Sequence, residues 1–200
     1  IVIGENYTEK TEQLSYVSDE PVKWVKKIDF NKKENLGSLK INIPKQGDIE
    51  SIELDNKKIS YRIIGDSENV KGDIKEVFIG RILDDELSKT LSIYYYTPPV
   101  EKIEEESLRG KIVKLKAPNG IEYKELKSYS NIKELYNLQE KEKIKIFWRE
   151  QNKFIDFEAE DKDGNGKIDY VSWISNVSNE ENFEIILIVK ANHLDSNRNF

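Results

Sequence analysis

Cysteine and methionine are both missing from the 200 residues of this chain, and histidine occurs once, at His193. Without Cys there are no disulfides, no thiolate nucleophile and no Cys-ligated metal, although the compartment stays open. A single His also rules out His-rich metal sets, and no glycine-rich phosphate loop occurs. No apolar run reaches the roughly 18 residues a membrane-spanning helix needs. A basic excess is missing too: 32 Lys and Arg against 38 Asp and Glu leave a net charge of −6 and a pI near 5.2. Nothing is left over to neutralise nucleic-acid phosphates or an anionic membrane surface. A chain that opens Ile1-Val2-Ile3 with no Met reads as a piece of a longer protein, with any signal peptide outside it.

What remains is 37% hydrophobic and 35% charged, enough to bury one large core or two ordinary ones. Period-2 patterning dominates. Val22, Trp24, Ile28 and Phe30 share one face of a strand, with Lys26 the exception. Leu39, Ile41 and Ile43 alternate with polar residues up to Pro44. Further short strands are expected around Ile49–Leu54, Ile59–Ile63, Ile74–Ile79 and Leu91–Tyr95, with Asp55-Asn56-Lys57 as a hairpin turn. Six short strands with turn signals between them fit a β-sandwich over residues 1–97, the first twenty extended or linking.

Thr97-Pro98-Pro99 and the charged run to Glu106 then read as a semi-rigid spacer over 98–106. From 107 to 200 the pattern resumes as a second sandwich. Lys111–Ala117 and Ile121–Leu126 flank an Asn119-Gly120 turn of the hairpin type. Asn131-Ile132-Lys133-Glu134 has the form of a helix start, followed by Leu135 and Tyr136, so one short helix is expected. Strands are expected at Lys143–Arg149, Phe154–Glu158, Ile168–Ile174 and Phe183–Val189, the last so apolar that it should be central.

One stretch demands a chemical explanation. Asp161-Lys162-Asp163-Gly164-Asn165-Gly166-Lys167-Ile168-Asp169 places side-chain oxygens at alternate positions and glycines where the chain must turn sharply. Asp161, Asp163 and Asn165 are candidate ligands at positions 1, 3 and 5, with the Lys167 carbonyl at position 7 and Asp169 at position 9. A hard cation of calcium type takes six to eight such oxygens, and it would relieve the repulsion of gathered carboxylates. Position 12 holds Ser172 instead of the bidentate Glu of an EF-hand, and a strand follows instead of a helix. A further ligand is therefore sought from water or from Asp156, Glu158 or Glu160. The bland alternative is an Asp/Gly-rich turn that binds nothing.

Other candidates are weaker. His193, Asp195 and a serine lie within four residues, whereas a hydrolytic triad converges from separate elements. No carboxylate pair stands out for glycoside hydrolysis. No catalytic residue is assigned, and the chain reads as a non-enzyme. Trp24, Trp148 and Trp173 occupy alternating strand positions and are expected in the cores. Tyr94 and Tyr96 must face away from Tyr95. An exposed, coplanar pair of aromatics beside a groove would instead mark a sugar-binding surface. Asn6-Tyr7-Thr8 and Asn176-Val177-Ser178 are glycosylation sequons, mild support for an outside location.

Phe157–Ala191 resembles a module of large cell-surface proteins of archaea, especially small-genome lineages, and of candidate-phylum bacteria. There a strand enters an Asp-x-Asp-Gly-Asn-Gly-x-x-Asp loop, followed by a Trp-containing strand and a Phe-Glu-Ile-Ile strand. The matching segments here are Asp161–Asp169, Trp173-Ile174 and Phe183-Glu184-Ile185-Ile186, followed by Lys190–Asp195. Pro21-Val22-Lys23-Trp24 and Tyr96-Thr97-Pro98-Pro99 are similar as well. The pattern departs at Ser175-Asn176-Val177-Ser178, where those proteins often carry Pro-His-Leu-Ser. The resemblance implies two immunoglobulin-like β-sandwich domains in tandem, part of a cell-envelope or surface-layer-like protein without assigned catalysis.

The expectation is thus an all-β, extracellular, calcium-stabilised structural or adhesive module. Its partners would be neighbouring copies, other envelope domains, and glycans. The alternative is a carbohydrate-binding module or accessory domain of a glycan-active enzyme.

Overall fold

A computed structural model describes residues 2–3, 7–30, 39–63, 74–79 and 90–189. Through them run β1 (Val2–Ile3), β2 (Tyr7–Gln13), β3 (Val22–Phe30), β4 (Leu39–Pro44), β5 (Asp48–Leu54), β6 (Lys57–Lys58), β7 (Tyr61–Ile63), β8 (Ile74–Ile79) and β9 (Thr90–Thr97). The second half continues with β10 (Glu101–Ser107), β11 (Gly110–Lys116), β12 (Tyr123–Asn131), a 3₁₀ helix (Leu138–Lys143), β13 (Ile144–Trp148), β14 (Lys153–Ile155), β15 (Glu158–Glu160), β16 (Tyr170–Val177) and β17 (Glu180–Leu187).

The protein is all-β, with four antiparallel sheets in the orders β1-β2-β3-β9-β5-β6, β4-β8-β7, β10-β11-β17-β13-β14 and β12-β16-β15. The first pair shares a core of Ile28, Phe30, Ile52, Leu91, Ile93 and Tyr95 from one sheet with Ile41, Ile43, Val77 and Ile79 from the other. The second pair encloses Val113, Leu115, Ile144, Ile146, Phe183 and Ile185 against Tyr123, Leu126, Val171, Trp173 and Val177. The Trp173 and Phe183 rings meet across this second core at 5.3 Å. In both cases alternate residues of each strand turn inward, as a half-buried pleated sheet requires. The apolar β17 lies in the middle of its sheet, as its run of Phe and Ile predicts. Asp55 and Asn56, at φ of 48° and 65°, close the β5–β6 hairpin expected there, because a type I′ two-residue turn needs both central residues left-handed.

Several expectations change. The run expected as a spacer over 98–106 is anchored: Val100 is buried in the second core, and Glu101–Ser107 pair residue by residue with Gly110–Lys116. Dense charge is compatible with a strand at a sheet edge, where it discourages unwanted pairing. The Asn119-Gly120 turn is present, with Gly120 at φ 76°, but it joins strands of different sheets. β11 pairs with β10 and β17, and β12 with β16. Ala117 and Ile121 are both buried, so the turn arches over the core. The strand expected at Phe154–Glu158 divides at Asp156-Phe157, β14 and β15 belonging to different sheets.

A short helix exists, but not at Asn131. It follows Asn137, whose side chain caps it while Glu140 reaches back to the Asn137 amide, a capping box. Residues 132–136 are instead held by other partners: the Ile132 amide donates to the Asp169 carbonyl, and the Ile168 amide to the Tyr136 carbonyl.

The two halves interlock through the segment after β2. Lys127 donates to the Tyr16 carbonyl, and Ser18 donates to the Lys127 carbonyl, a parallel bridge centred on Val17 and Lys127. The Gln13 amide side chain brackets Lys124, donating to its carbonyl and accepting from its amide. Tyr129 donates its hydroxyl to Asp19. Residues 13–19 thus form a strap from the first half along the β12 edge of the second. Val22 then lies in the second core, and Trp24 touches both cores.

Candidate metal centre

β15 and β16 are antiparallel neighbours, so residues 161–169 form the loop of their hairpin. Its base is tied by the Asp169 amide donating to the Glu160 carbonyl. Its exit is anchored by Ile168, which is fully buried in the second core. Between these points the chain wraps around its own carboxylates. Asp161 accepts from the amides of Gly164 at 2.8 Å, Asn165 at 3.1 Å and Gly166 at 2.7 Å. Asp169 accepts from the Lys162 amide at 2.9 Å and the Asp163 amide at 3.3 Å. Gly164 and Gly166 sit at φ of 77° and 89°, a backbone that any side chain strains.

The result is a cluster. One carboxylate oxygen from each of Asp161, Asp163 and Asp169 lies within 4.8 Å of the others. Two oxygens each about 2.3–2.6 Å from one ion can be at most about 5 Å apart, so the spacing suits a shared hard cation. These three residues can hold a metal ion. Partial desolvation pushes the Asp161 carboxyl up, but the amides of Gly166, Gly164 and Asn165 and a hydrogen bond with Asp163 outweigh it. Asp161 therefore stays below its usual range, and the loop holds it as a carboxylate.

Asn165 and Lys167 lie in the same loop with different engagements. The Asn165 side-chain oxygen accepts from the Lys167 amide, while its NH₂ donates to Asp163 and to Glu134. Glu134 was not among the expected acids. It comes from the segment whose Ile132 and Tyr136 backbone groups grip the loop exit. No local signal could have found it, because the contact spans 31 positions. The acids nearer in sequence are used otherwise. Glu158 pairs with Lys127 at 3.0 Å, Glu160 lends its backbone carbonyl to the loop base, and Asp156 lies outside the carboxylate cluster.

The aromatics divide as well. Trp148 and Trp173 are buried, as alternation predicts. Trp24 is half-buried, its ring nearly parallel to that of buried Tyr95, with 9° between planes and 6.4 Å between centroids. Tyr94 and Tyr96 do face away from Tyr95, and the Lys23 ammonium lies over both rings. His193 and Asn6 fall outside the described residues, as does the 190–195 tail of the resemblance. Among the described residues, no helix is long and apolar enough to cross a membrane. The chain matches no protein-family model and no curated protein, so function must be argued from geometry.

Proposed function

We propose that this chain is a non-catalytic structural or adhesive module of an extracellular envelope assembly, in which calcium bound by residues 161–169 stiffens the second half. The observation that carries the reading is the convergence of three aspartates on a loop whose exit residue, Ile168, is locked in the core. A cation there ties the loop's ends to a fixed point and replaces carboxylate repulsion with coordination. Asp161, Asp163 and Asp169 supply carboxylates, Asn165 and the Lys167 carbonyl complete the loop's share, and Glu134, which accepts from the Asn165 side chain, is the further oxygen donor. Calcium is favoured because every donor is a hard oxygen and the loop offers several of them for a high coordination number.

The surface assembly and the immunoglobulin-like character of the two units rest on the resemblance and on open sheet edges. β10 offers seven residues at the end of its sheet, with no second strand beside it among the described residues, as an edge for a neighbouring copy or another envelope domain. At the affinity of extracellular modules, about 10⁻⁴–10⁻³ M, about 10 mM calcium should stabilise the fold by roughly 1.4–2.7 kcal/mol. Thermal melting with and without calcium measures this, and the Asp163→Ala variant should lose the response. An unchanged melt in both proteins removes the calcium reading. Electron microscopy of the native assembly tests the other part, since isolated monomers without lattice or filament contacts would contradict it.

A further inference from the structure

Where the two halves meet, a cleft of about 410 Å³ opens between Thr11, Trp24 and Lys26 on one wall and Gly120, Ile121 and Glu122 on the other. Its volume falls within the range of about 300–1,000 Å³ typical of small-molecule sites. The inward-facing ladder of the first sandwich leads into it. Along β3 and β9 the opposed pairs are Ile28 with Leu91, Lys26 with Ile93, and Trp24 with Tyr95. The apolar core is thus interrupted by a lysine and finished by two aromatic rings.

Lys26 is the feature that core packing does not explain. It is nine-tenths buried on a face otherwise made of aliphatic and aromatic residues. Its ammonium is neutralised by Glu9 and donates to the Asn42 carbonyl at 2.8 Å. An ammonium has three hydrogens, so one is left without a described partner at the cleft wall. Burying a charged group this way is costly, and an apolar residue would fill the position at least as well.

Three further features define what such a wall recognises. Trp24 is half-buried, parallel to Tyr95 and with the Tyr123 ring tilted against it at 6.0 Å and 41°, while its Nε1 is already spent on Thr97 at 2.9 Å, so the part of the indole that lines the cleft offers ring carbons and no donor. Glu122 is exposed and has neither an ion pair nor a hydrogen bond among the described residues. The local charge, with Lys26 cancelled by Glu9 and Glu122 added, does not favour an anion. A flat aromatic surface with one donor and one carboxylate acceptor at its rim matches a polyhydroxylated ring. Its C–H face would stack on the indole, and its hydroxyls would bond to charged partners.

We propose that this junction cleft is a binding site for a neutral saccharide, with Trp24 as the stacking surface, Lys26 as donor and Glu122 as acceptor. The site is separate from the aspartate loop and does not depend on calcium. It would let an envelope module engage a neutral glycan at the junction of its halves.

Calorimetric titration of the full chain with neutral trisaccharides of gluco, manno, galacto and N-acetylglucosamine configuration tests this, run alongside uronic-acid oligosaccharides. At least one neutral trisaccharide should give saturable binding. Glu122→Gln, a surface change expected to melt like the wild type, should weaken that binding roughly tenfold by removing a charged hydrogen-bond acceptor. Trp24→Leu should abolish it, whereas Asp163→Ala should leave it unchanged. The proposal is overturned if no neutral trisaccharide binds, if only the uronic-acid ligands bind, or if Glu122→Gln binds as tightly as the wild type.

Discussion

The hairpin at Asp55-Asn56 and the hairpin at Asp161–Asp169 both return an antiparallel strand to its neighbour, yet they load the chain in different places. In the short one the backbone takes the strain: two non-glycine residues stand at φ of 48° and 65°, a region that costs L-residues roughly 1–2 kcal/mol each, less for Asn and Asp. In the long one the left-handed positions fall to Gly164 and Gly166, so the backbone is relaxed and what the turn gathers instead is charge, in three carboxylates. Asp, Asn and Gly write both turns. What separates them is spacing, since alternate oxygens over a longer loop can all face one point, whereas adjacent ones in a tight turn cannot. A turn needs only permissive dihedrals, and a loop wound about its own carboxylates has room for a cation at its centre.

The largest effect that tests this contrast lies under the long loop. Ile168→Ala removes a fully buried side chain and should cost about 2–5 kcal/mol in denaturant unfolding. Because Ile168 fixes the loop exit, the variant should also lose most of its response to calcium. A loss below about 1 kcal/mol would mean the loop is not anchored as described, since Ile-to-Ala changes in a packed core fall above that.

A smaller pair of changes separates a turn that only needs its dihedrals from a loop that gathers charge. A Cβ added at Gly166 meets nothing within 4 Å, so Gly166→Ala is a purely conformational change and should cost about 1–2 kcal/mol. Asn56→Ala should cost about 1 kcal/mol, because Ala tolerates the left-handed region less well than Asn, while Asn56→Gly should not be destabilising through its backbone. The distinguishing measurement is calcium. Gly166→Ala should weaken the calcium-induced rise in melting temperature, and neither Asn56 variant should alter it. Equal calcium responses in all three would remove the functional difference between the two hairpins.

Much of this was legible in residues 22–30, 39–54, 91–97 and 170–187, where apolar side chains alternate strongly enough to fix both strand and facing. The Asp161–Asp169 cluster was legible for a related reason, because its ligand pattern is local. β2 and β10 were not legible as strands: Tyr7–Gln13 carries no apolar stripe, and Glu101–Glu106 is almost wholly charged. Both pair through backbone groups, and side-chain pattern does not report those. The misplaced helix has a sharper cause. Asn131 and Asn137 each precede a Glu by three positions, so both satisfy the capping signature. Only long-range bonds from Ile132 and Tyr136 to the loop exit decide which one caps a helix. Glu134 and the strap along β12 depend on contacts of the same distant kind.

The smallest effect concerns how the long hairpin is braced from outside by stacked rings, where the short one is tied to Thr90 by the Asp55 amide and carboxylate. Tyr170, the first strand residue after the loop, stacks on Tyr129 with centroids 5.4 Å apart, and Tyr129 donates its hydroxyl to Asp19 on the strap. That hydrogen bond, helped by partial burial and the Asp19 charge, pushes the Tyr129 phenol up to about 12, above the ordinary value of about 10. In the unfolded chain the phenol ionises first, so this contribution to stability is complete below about pH 10 and lost as the pH rises towards about 12. Tyr95 in the first core is also pushed up to about 12, chiefly by burial and secondarily by the Glu9 charge, so an alkaline loss alone does not locate the brace. Asp19→Ala separates the two. It should reduce the alkaline loss by the Tyr129 share and bring one phenol back towards an ordinary titration in absorbance, leaving Tyr95 unchanged. If the alkaline profile of Asp19→Ala overlays the wild type, the strap does not brace the hairpin, and the long loop stands on Ile168, its own carboxylates and the grip of residues 132–136.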